Sequence, residues 1–362
     1  MKILVVQDYL RSGGTERQAI LLTRAFAAAG HPATLLTFRP GGALAATLAG
    51  VLHQPLTTID LHLDWLAPGL LRAVAALAPD VVLCMGRMAN CHAGFIQRRF
   101  PSVTVVGTMR TGKPLPLLFR RSLRRVRHVV ANSHAARQRI IETLALPPGK
   151  ITVIHNSLVF PAAAELAPNV TLRTEQGAGT GTLVLLCVAM FRRRKNQREL
   201  VEIAAGLPPD LDWQLWFVGD GETRGECEQL VQARHLQLRV KFLGWQPDPS
   251  PLYLAADIAV HASRSESLSN FVIEAQAHGL PAVAYEAQGI AECCVPGETG
   301  FVIPCGDQAA FRGAIERLAR STPAERQARS NQARAHAATS FDPQQHARDY
   351  LELFSRLVAA GS

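Results

Sequence analysis

Short β-rich apolar runs and helical patterns alternate along nearly the whole chain, and this leaves few folds open. KILVVQ, ATLLTF, LTTID, DVVLCMG, TVVGTMR, HVVANS and ITVIHN follow one another, separated by turns or by helical spacing over about 15–29 and 66–78. The pattern breaks once, at PAAAELAPNVTLRTEQGAGTGT, which is small, polar and glycine-rich and reads as a linker or irregular connection. It restarts with TLVLLCVAM, QLWFVGD, VKFLGW, IAVHAS, PAVAYE and GFVIP, with helices expected over about 196–205, 222–235 and 270–279. Continuous apolar runs between helices mark parallel sheets covered on both faces. The chain is therefore expected to be α/β, with one half over 1–165 and a second over 166–340. In the remaining 341–362, Tyr350, Leu353, Phe354 and Leu357 recur at helical spacing, so a terminal helix should bury this stripe by packing back on the first half.

Composition narrows the function classes. A chain of 362 residues can hold two cores. Although 48% of it is apolar, no run approaches the ~20 residues a membrane helix needs. MKILVVQDYL reads as a buried first strand rather than a signal peptide, so a cytoplasmic protein is expected. Seven cysteines without a CxxC pair suit buried thiols better than a disulfide framework or a zinc site. The net charge of +9 favours anionic partners. Part of it sits in LPLLFRRSLRRVRH, where Arg120, Arg121, Arg124, Arg125 and Arg127 lie beside Leu115, Leu117, Leu118 and Phe119. That segment suits either an anionic bilayer surface, which would make the protein peripheral to a membrane, or an ordinary solvated helix. Nucleic acid is not expected, since no aromatic series or binding motif accompanies the charge.

In parallel sheets ligands gather outside the carboxyl ends of the strands, so the residues that follow each strand carry the functional reading. RSGGTER places Gly13 and Gly14 between a strand and a helix, where backbone can approach a phosphate. FRRRKNQ puts Arg192, Arg193, Arg194 and Lys195 at a strand end, where cations can neutralise a diphosphate leaving group. In VGDGETRG, Gly219 and Gly221 resemble part of a dinucleotide fingerprint, but Arg224 replaces its third glycine and no acidic residue ends the next strand. HASRSESLSNFVIEAQAHGLPAVA is the fullest constellation: Glu266 in a loop, Ser269 or Asn270 as a helix cap, and Glu274 in the first turns of that helix. The amides of Ser267 to Phe271 would point at the same place, which suits a ligand bearing both phosphate and hydroxyl groups.

The segment ESLSNFVIE followed by AQAHGLPAVA resembles the E-x7-E segment of the retaining glycosyltransferase family 4 group, whose fold is GT-B. SGGTER, ANS, IHN, FRRRKN, VGDG, FLG and PGETGF follow in that family's order along nearly the whole chain. The resemblance implies two Rossmann-like domains facing a central cleft, with acceptor bound mainly by the first and nucleotide sugar by the second. It implies transfer of a sugar from a nucleoside-diphosphate sugar to an acceptor hydroxyl with retained configuration, without a cofactor or required metal. The acceptor would be lipid-linked or a lipopolysaccharide, polysaccharide or glycolipid precursor. Asp210-Leu211-Asp212 matches a metal-binding pattern but stands before a strand in a Pro-rich loop. Carried over by position, Glu266 would contact the transferred sugar and Glu274 the nucleotide ribose. Ser267, Leu268, Ser269 and Asn270 would meet sugar or diphosphate, with Gly13, Gly14 and Gly219 also on the donor. Gly244 and Trp245 would line the base pocket. Lys195 and Arg192 would serve catalysis by neutralising the leaving group. Two positions depart from the commoner pattern: Met190 stands where an arginine is frequent, and Arg110 where a histidine is. Arg110 and Arg87 are expected on the acceptor side, and an anionic acceptor is one explanation of Arg110. A GT-B sugar-nucleotide epimerase and a non-catalytic sugar-nucleotide-binding protein are the alternatives.

Overall fold

A computed structural model divides the chain into two compact units, Met1–Ser157 with Pro343–Ser362, and Leu158–Asp342. It describes every residue except Ser12, Leu61, Asp64, 162–165 and Ser362.

The first unit runs β1 (Ile3–Gln7), α1 (Gly14–Ala28), β2 (Ala33–Thr37), β3 (Leu52–Pro55), α2 (Leu70–Leu77), β4 (Val81–Cys84), α3 (Arg87–Arg99) and β5 (Thr104–Met109). It continues with α4 (Leu117–Arg125), β6 (His128–Ala131), α5 (His134–Leu144) and β7 (Ile151–Val153). The strands form one parallel sheet in the order β3-β2-β1-β4-β5-β6-β7, with Ile3 opposite both Ala33 and Val81. Its central strands are buried on both faces, Leu4 and Val6 in one core and Ile3 and Val5 in the other. This is why they read as unbroken apolar runs. The third strand is LHQP rather than the expected LTTID. It lies at the sheet border and is half exposed, so it needed no apolar run to declare it.

The terminal helix α13 (Pro343–Ala359) belongs to this unit. Its Tyr350 and Phe354 meet Phe26 of α1 edge-on, at ring separations of 6.2 and 5.7 Å. His346 of α13 and Ser157 are joined by a 2.8 Å hydrogen bond, and the Ser157 amide donates to Gln18 of α1. Leu158 packs instead in the core of the second unit. The division therefore falls at 157/158 rather than 165/166, and at 342/343 rather than 340/341.

The second unit contains α6 (Val170–Glu175), β8 (Leu183–Val188), α7 (Gln197–Ala205), β9 (Trp213–Val218), α8 (Arg224–Ala233), β10 (Val240–Phe242) and α9 (Ser250–Tyr253). β11 (Ile258–His261), α10 (Asn270–Ala277), β12 (Ala282–Tyr285), β13 (Gly300–Ile303), α11 (Gln308–Ala319) and α12 (Pro323–Ser340) follow. The six strands are parallel, in the order β10-β9-β8-β11-β12-β13. The expected linker is only partly irregular. α6 forms inside it, capped by Asn169 and tied down by Arg173, which binds Asp257 at 2.9 Å. Residues 162–165 of that linker lie outside the described ones. All seven cysteines are free thiols. Among the described residues no helix is long and apolar enough to cross a membrane.

In the second sheet the strand order reverses between β8 and β11, which are neighbours although distant in sequence. The loops leaving such a pair diverge and open a crevice at the carboxyl edge. The loop after β8 carries Arg192 to Lys195, and the loop after β11 carries Glu266.

Candidate active site

Those two loops are fastened together. The Arg264 amide donates to the Arg194 carbonyl at 2.9 Å, and the Ser263 hydroxyl donates to the same oxygen at 3.2 Å. Glu199, in the first turn of α7, accepts from Arg264 at 3.0 Å, from Tyr285 at 2.8 Å and from Asn196. Burial would raise its pKa, but these three donors outweigh it and hold the carboxylate below its ordinary range. Asn196 takes a left-handed conformation at φ 56°, which ends the short turn bearing Lys195 and starts α7.

The clasp brings Lys195 to Glu266. Lys195 Nζ lies 2.5 Å from Glu266 Oε1, and the same oxygen accepts from His261 Nε2 at 2.9 Å. Glu266 is only 5% exposed. Burial pushes its pKa up, yet the Lys195 ammonium and the His261 hydrogen bond override this and hold it well below the usual carboxylate range. Burial in turn lowers the His261 pKa, partly offset by Glu266. His261 is thus a neutral donor whose Nε2 proton is assigned from its carboxylate partner. Lys195 and Glu266 thus form an ion pair largely withdrawn from water.

Ser269, rather than Asn270, caps α10: its hydroxyl accepts from the Val272 amide, and it also lies 3.4 Å from His261 Nε2. One expectation is corrected here. The Ser269 amide is not open to a ligand, because it donates to Cys293 Sγ at 3.3 Å. Ser267 and Leu268 are buried between Glu266 and the cap. Glu274 is held one turn into the helix. The buried Tyr253 hydroxyl donates to its Oε2 at 2.6 Å, and the Tyr253 ring stacks on His278 at 4.7 Å. His278 Nδ1 binds the Glu274 carbonyl at 2.7 Å.

Arg192 starts the short turn before Lys195, and its side chain has no partner among the described residues. Gly219, at φ 133°, is accounted for by the chain itself, since a Cβ there would collide with the Ala189 carbonyl. Its amide donates to the Gly244 carbonyl at 2.8 Å. Gly244 is left-handed, and Trp245 beside it is 46% exposed. In the first unit Gly13 caps α1 and Gly14 opens it. Arg87 opens α3 and donates to the Pro114 carbonyl, while Arg110 follows β5 and donates to Asn156 at 3.0 Å. Asp212 accepts from Thr182 at 2.6 Å and precedes β9, so it stands at the opposite edge of the sheet from Lys195.

Sequence reasoning missed His261, Tyr253, Glu199 and Arg264. His261 sat inside a recognised strand, and its place five residues before Glu266 at the carboxyl end was the available signal. Tyr253 reaches Glu274 from a short helix 21 residues earlier in the chain, with no pattern to announce it.

Two family models match. The one for glycosyl transferases group 1 covers residues 170–336, and the one for glycosyltransferase family 4 covers residues 12–158. Over 135 residues the chain is 35% identical to the lipopolysaccharide core biosynthesis glycosyltransferase LpsE of Rhizobium meliloti, spanning 37% of this chain and 39% of that protein. It is 31% identical over 196 residues to LpsD of the same organism, 54% of this chain and 56% of that protein. The matches thus span roughly two-fifths to just over half of these relatives' length. Anabaena HepE in complex with UDP is similar in structure, with a TM-score of 0.85 at 22% identity over 98% of this chain and 100% of that one. WaaG, a glycosyltransferase involved in lipopolysaccharide biosynthesis, gives 0.76 at 17% over 98% and 99%. With two parallel Rossmann-like sheets of the GT-B kind, and with one family model on each half, the chain belongs to the group 1, family 4 glycosyltransferases.

Proposed function

We propose that the chain transfers a sugar from a nucleoside-diphosphate sugar to an acceptor hydroxyl in the synthesis of lipopolysaccharide or a related polysaccharide, with retention of configuration. The observation that carries this is the buried Lys195–Glu266 pair at the strand reversal of the second sheet, with His261 on the same oxygen. The names of LpsE and LpsD support the pathway class, and structures of HepE with UDP and with UDP-glucose support a uridine donor as the first to test.

In this reading Glu266 accepts hydrogen bonds from hydroxyls of the transferred sugar, and Glu274 from the ribose. The bond from the anomeric carbon to the β-phosphate oxygen breaks as the bond to the acceptor oxygen forms on the same face. The acceptor's proton passes to the departing phosphate, so no enzymic nucleophile is needed. Negative charge grows on the diphosphate, and Lys195, Arg192 and the positive end of α10 meet it. Groups already fixed where charge develops lower the barrier because they need no reorganisation at that moment. No residue is assigned to a metal. Gly13 and Gly14 are proposed for the donor phosphates, Gly244 and Trp245 for the base, and Arg87 and Arg110 for the acceptor.

Lys195→Ala should lower turnover at least a hundredfold, since losing one such donor costs ~3 kcal/mol. Near-normal turnover, in a variant shown to be folded by its thermal transition, would sink the assignment. We also propose that α4 rests on an anionic membrane surface. Leu117 is exposed, as are Arg121, Arg124 and Arg125, and none of these arginines pairs with a carboxylate among the described residues. The apolar half of that expectation needs correction: Phe119 is buried in the first core, and Leu115 and Leu118 pack against it.

A further inference from the structure

The carboxyl edge of the first sheet holds a cation, Arg110, that meets no counter-charge among the described residues. Arg110 follows β5, and its Nη1 donates to Asn156 Oδ1 at 3.0 Å, beside Asn132. Its Nε and Nη2 are buried without a hydrogen-bond partner, and no carboxylate pairs with it among the described residues. Two more buried polar atoms close to it are in the same condition. They are the Tyr350 hydroxyl and His346 Nε2, both from α13. The Arg110 charge bears on both groups, drawing down the His346 pKa after burial has already lowered it, and opposing the rise that burial gives Tyr350.

A neutral donor would suffice to hold Asn156, so that hydrogen bond does not account for a full charge. Withdrawing an unpaired guanidinium from water costs several kcal/mol. Tyr350 and His346 are themselves firmly placed. Tyr350 is wedged against Phe26, and His346 Nδ1 is engaged by Ser157. When the Ser157 hydroxyl donates to Nδ1, Nε2 carries the proton. Arg110 Nε–H and Nη2–H and, in that tautomer, His346 Nε2–H are then donors, while the Tyr350 hydroxyl can donate or accept. A sugar hydroxyl would satisfy this set poorly, because its one oxygen cannot serve all of these N–H donors and brings no charge to offset the guanidinium. A phosphate or carboxylate brings several lone pairs and no competing proton, and the arginine fork matches it in two-point fashion.

We propose that Arg110, with Tyr350 and His346, forms a receptor for an oxyanion, phosphate or carboxylate, carried by the molecule that the first unit binds. Only the identity of that molecule, an acidic acceptor or an acidic transferred sugar, rests on the transferase reading. The receptor itself rests on Arg110 and its neighbours.

The full chain, kept in saturating UDP so that a diphosphate site elsewhere is filled, would be titrated calorimetrically with glucose, glucose 6-phosphate, glucuronate and inorganic phosphate. Wild type should bind at least one sugar anion about tenfold or more tighter than glucose, as a charge-assisted contact of ~1.5–3 kcal/mol implies. The phosphate and glucuronate arms tell the two oxyanions apart. Arg110→Gln should lose the preference, Arg110→Lys should recover only part of it, and Tyr350→Phe should weaken it. Without ligand the thermal midpoint of Arg110→Gln should equal or exceed wild type, because an uncompensated buried cation has been removed. The proposal is overturned if wild type shows no preference for anions, if Arg110→Gln keeps the preference, or if its midpoint drops by more than a few degrees. Failure of UDP to bind would count against the donor reading alone, since the anion arms still report on Arg110.

Discussion

Tyr253 is to Glu274 what His261 is to Glu266: a buried neutral donor that fixes which way a carboxylate points. Neither is assigned contact with substrate, so both are positioning residues. Tyr253→Phe removes one oxygen and keeps the ring stacked between His278 and Phe271. With this donor to the Glu274 carboxylate removed, the variant should show a KM for the donor raised about five- to tenfold, as loss of a hydrogen bond to a charged group predicts. Turnover at saturation should stay within about twofold of wild type, because the interaction lost is felt equally by bound substrate and transition state. The preference for a ribose over a 2′-deoxyribose donor should shrink as well. An unchanged KM and unchanged sugar preference would refute the positioning role. Glu266, Glu274 and Lys195 were legible beforehand because each stands in a fixed local order after a strand. Tyr253 and Glu199 were not, because they act through partners distant in sequence. For Glu199, on α7, that partner is Tyr285 at the end of β12.

Among elements, α4 shows how one pattern can carry two meanings. Phe119, Leu123 and Val126 face the sheet, while Leu117, Arg121, Arg124 and Arg125 face outward. It packs closely on α3 because Gly94 leaves room: a Cβ there would come within 3.0 Å of Ser122 Cα. The neighbouring exposed Phe95, Arg98 and Arg99 of α3 extend the basic face. Each arginine near an anionic bilayer contributes about 1 kcal/mol. Replacing Arg121, Arg124 and Arg125 together by Gln should therefore reduce sedimentation with anionic liposomes by about a hundredfold at low salt. Equal binding of the variant, or no binding of wild type, would remove the membrane surface from the account. The strands of both sheets were mostly readable because burial on two faces forces unbroken apolar runs. The half-exposed β3 escaped for the opposite reason. The helices α11 and α12 went unread although Asp307 and the Thr322–Glu325 capping box, with Pro323 between them, mark both starts. Their outer faces are polar, and apolar periodicity alone is a weak guide there.

Across the whole molecule the titrating groups nearly all pull the same way. Burial lowers the pKa of His128 to about 4 and of His346 to about 3, and it lowers those of His53, His261 and His278 too. Each such histidine is neutral when folded but protonates near 6.5 when unfolded. The stability it contributes is complete above pH 6.5 and drains away as the pH falls toward its folded value, at about 1.4 kcal/mol per unit. Asp8 opposes this. Burial raises its pKa to about 6, despite the Met88 and Ala89 amides that it accepts from, so it favours the folded state as the pH falls below that value. Setting His128 and His346 against Asp8 leaves a net loss of about 1.4 kcal/mol per unit between pH 6 and 4. The other histidines deepen that loss. Glu199 and Glu266, whose pKa values are held down, add theirs only below the ordinary carboxylate range. A chain already at +9 with its twelve histidines neutral also gains self-repulsion as they charge. The thermal midpoint should therefore be level from pH 8 to 7 and fall steadily from 6.5 to 5. Replacing His128 and His346 by Gln should flatten that fall. A midpoint that stays constant down to pH 5, or an unaltered slope in the double variant, would show that these histidines are not the neutral buried groups their surroundings imply.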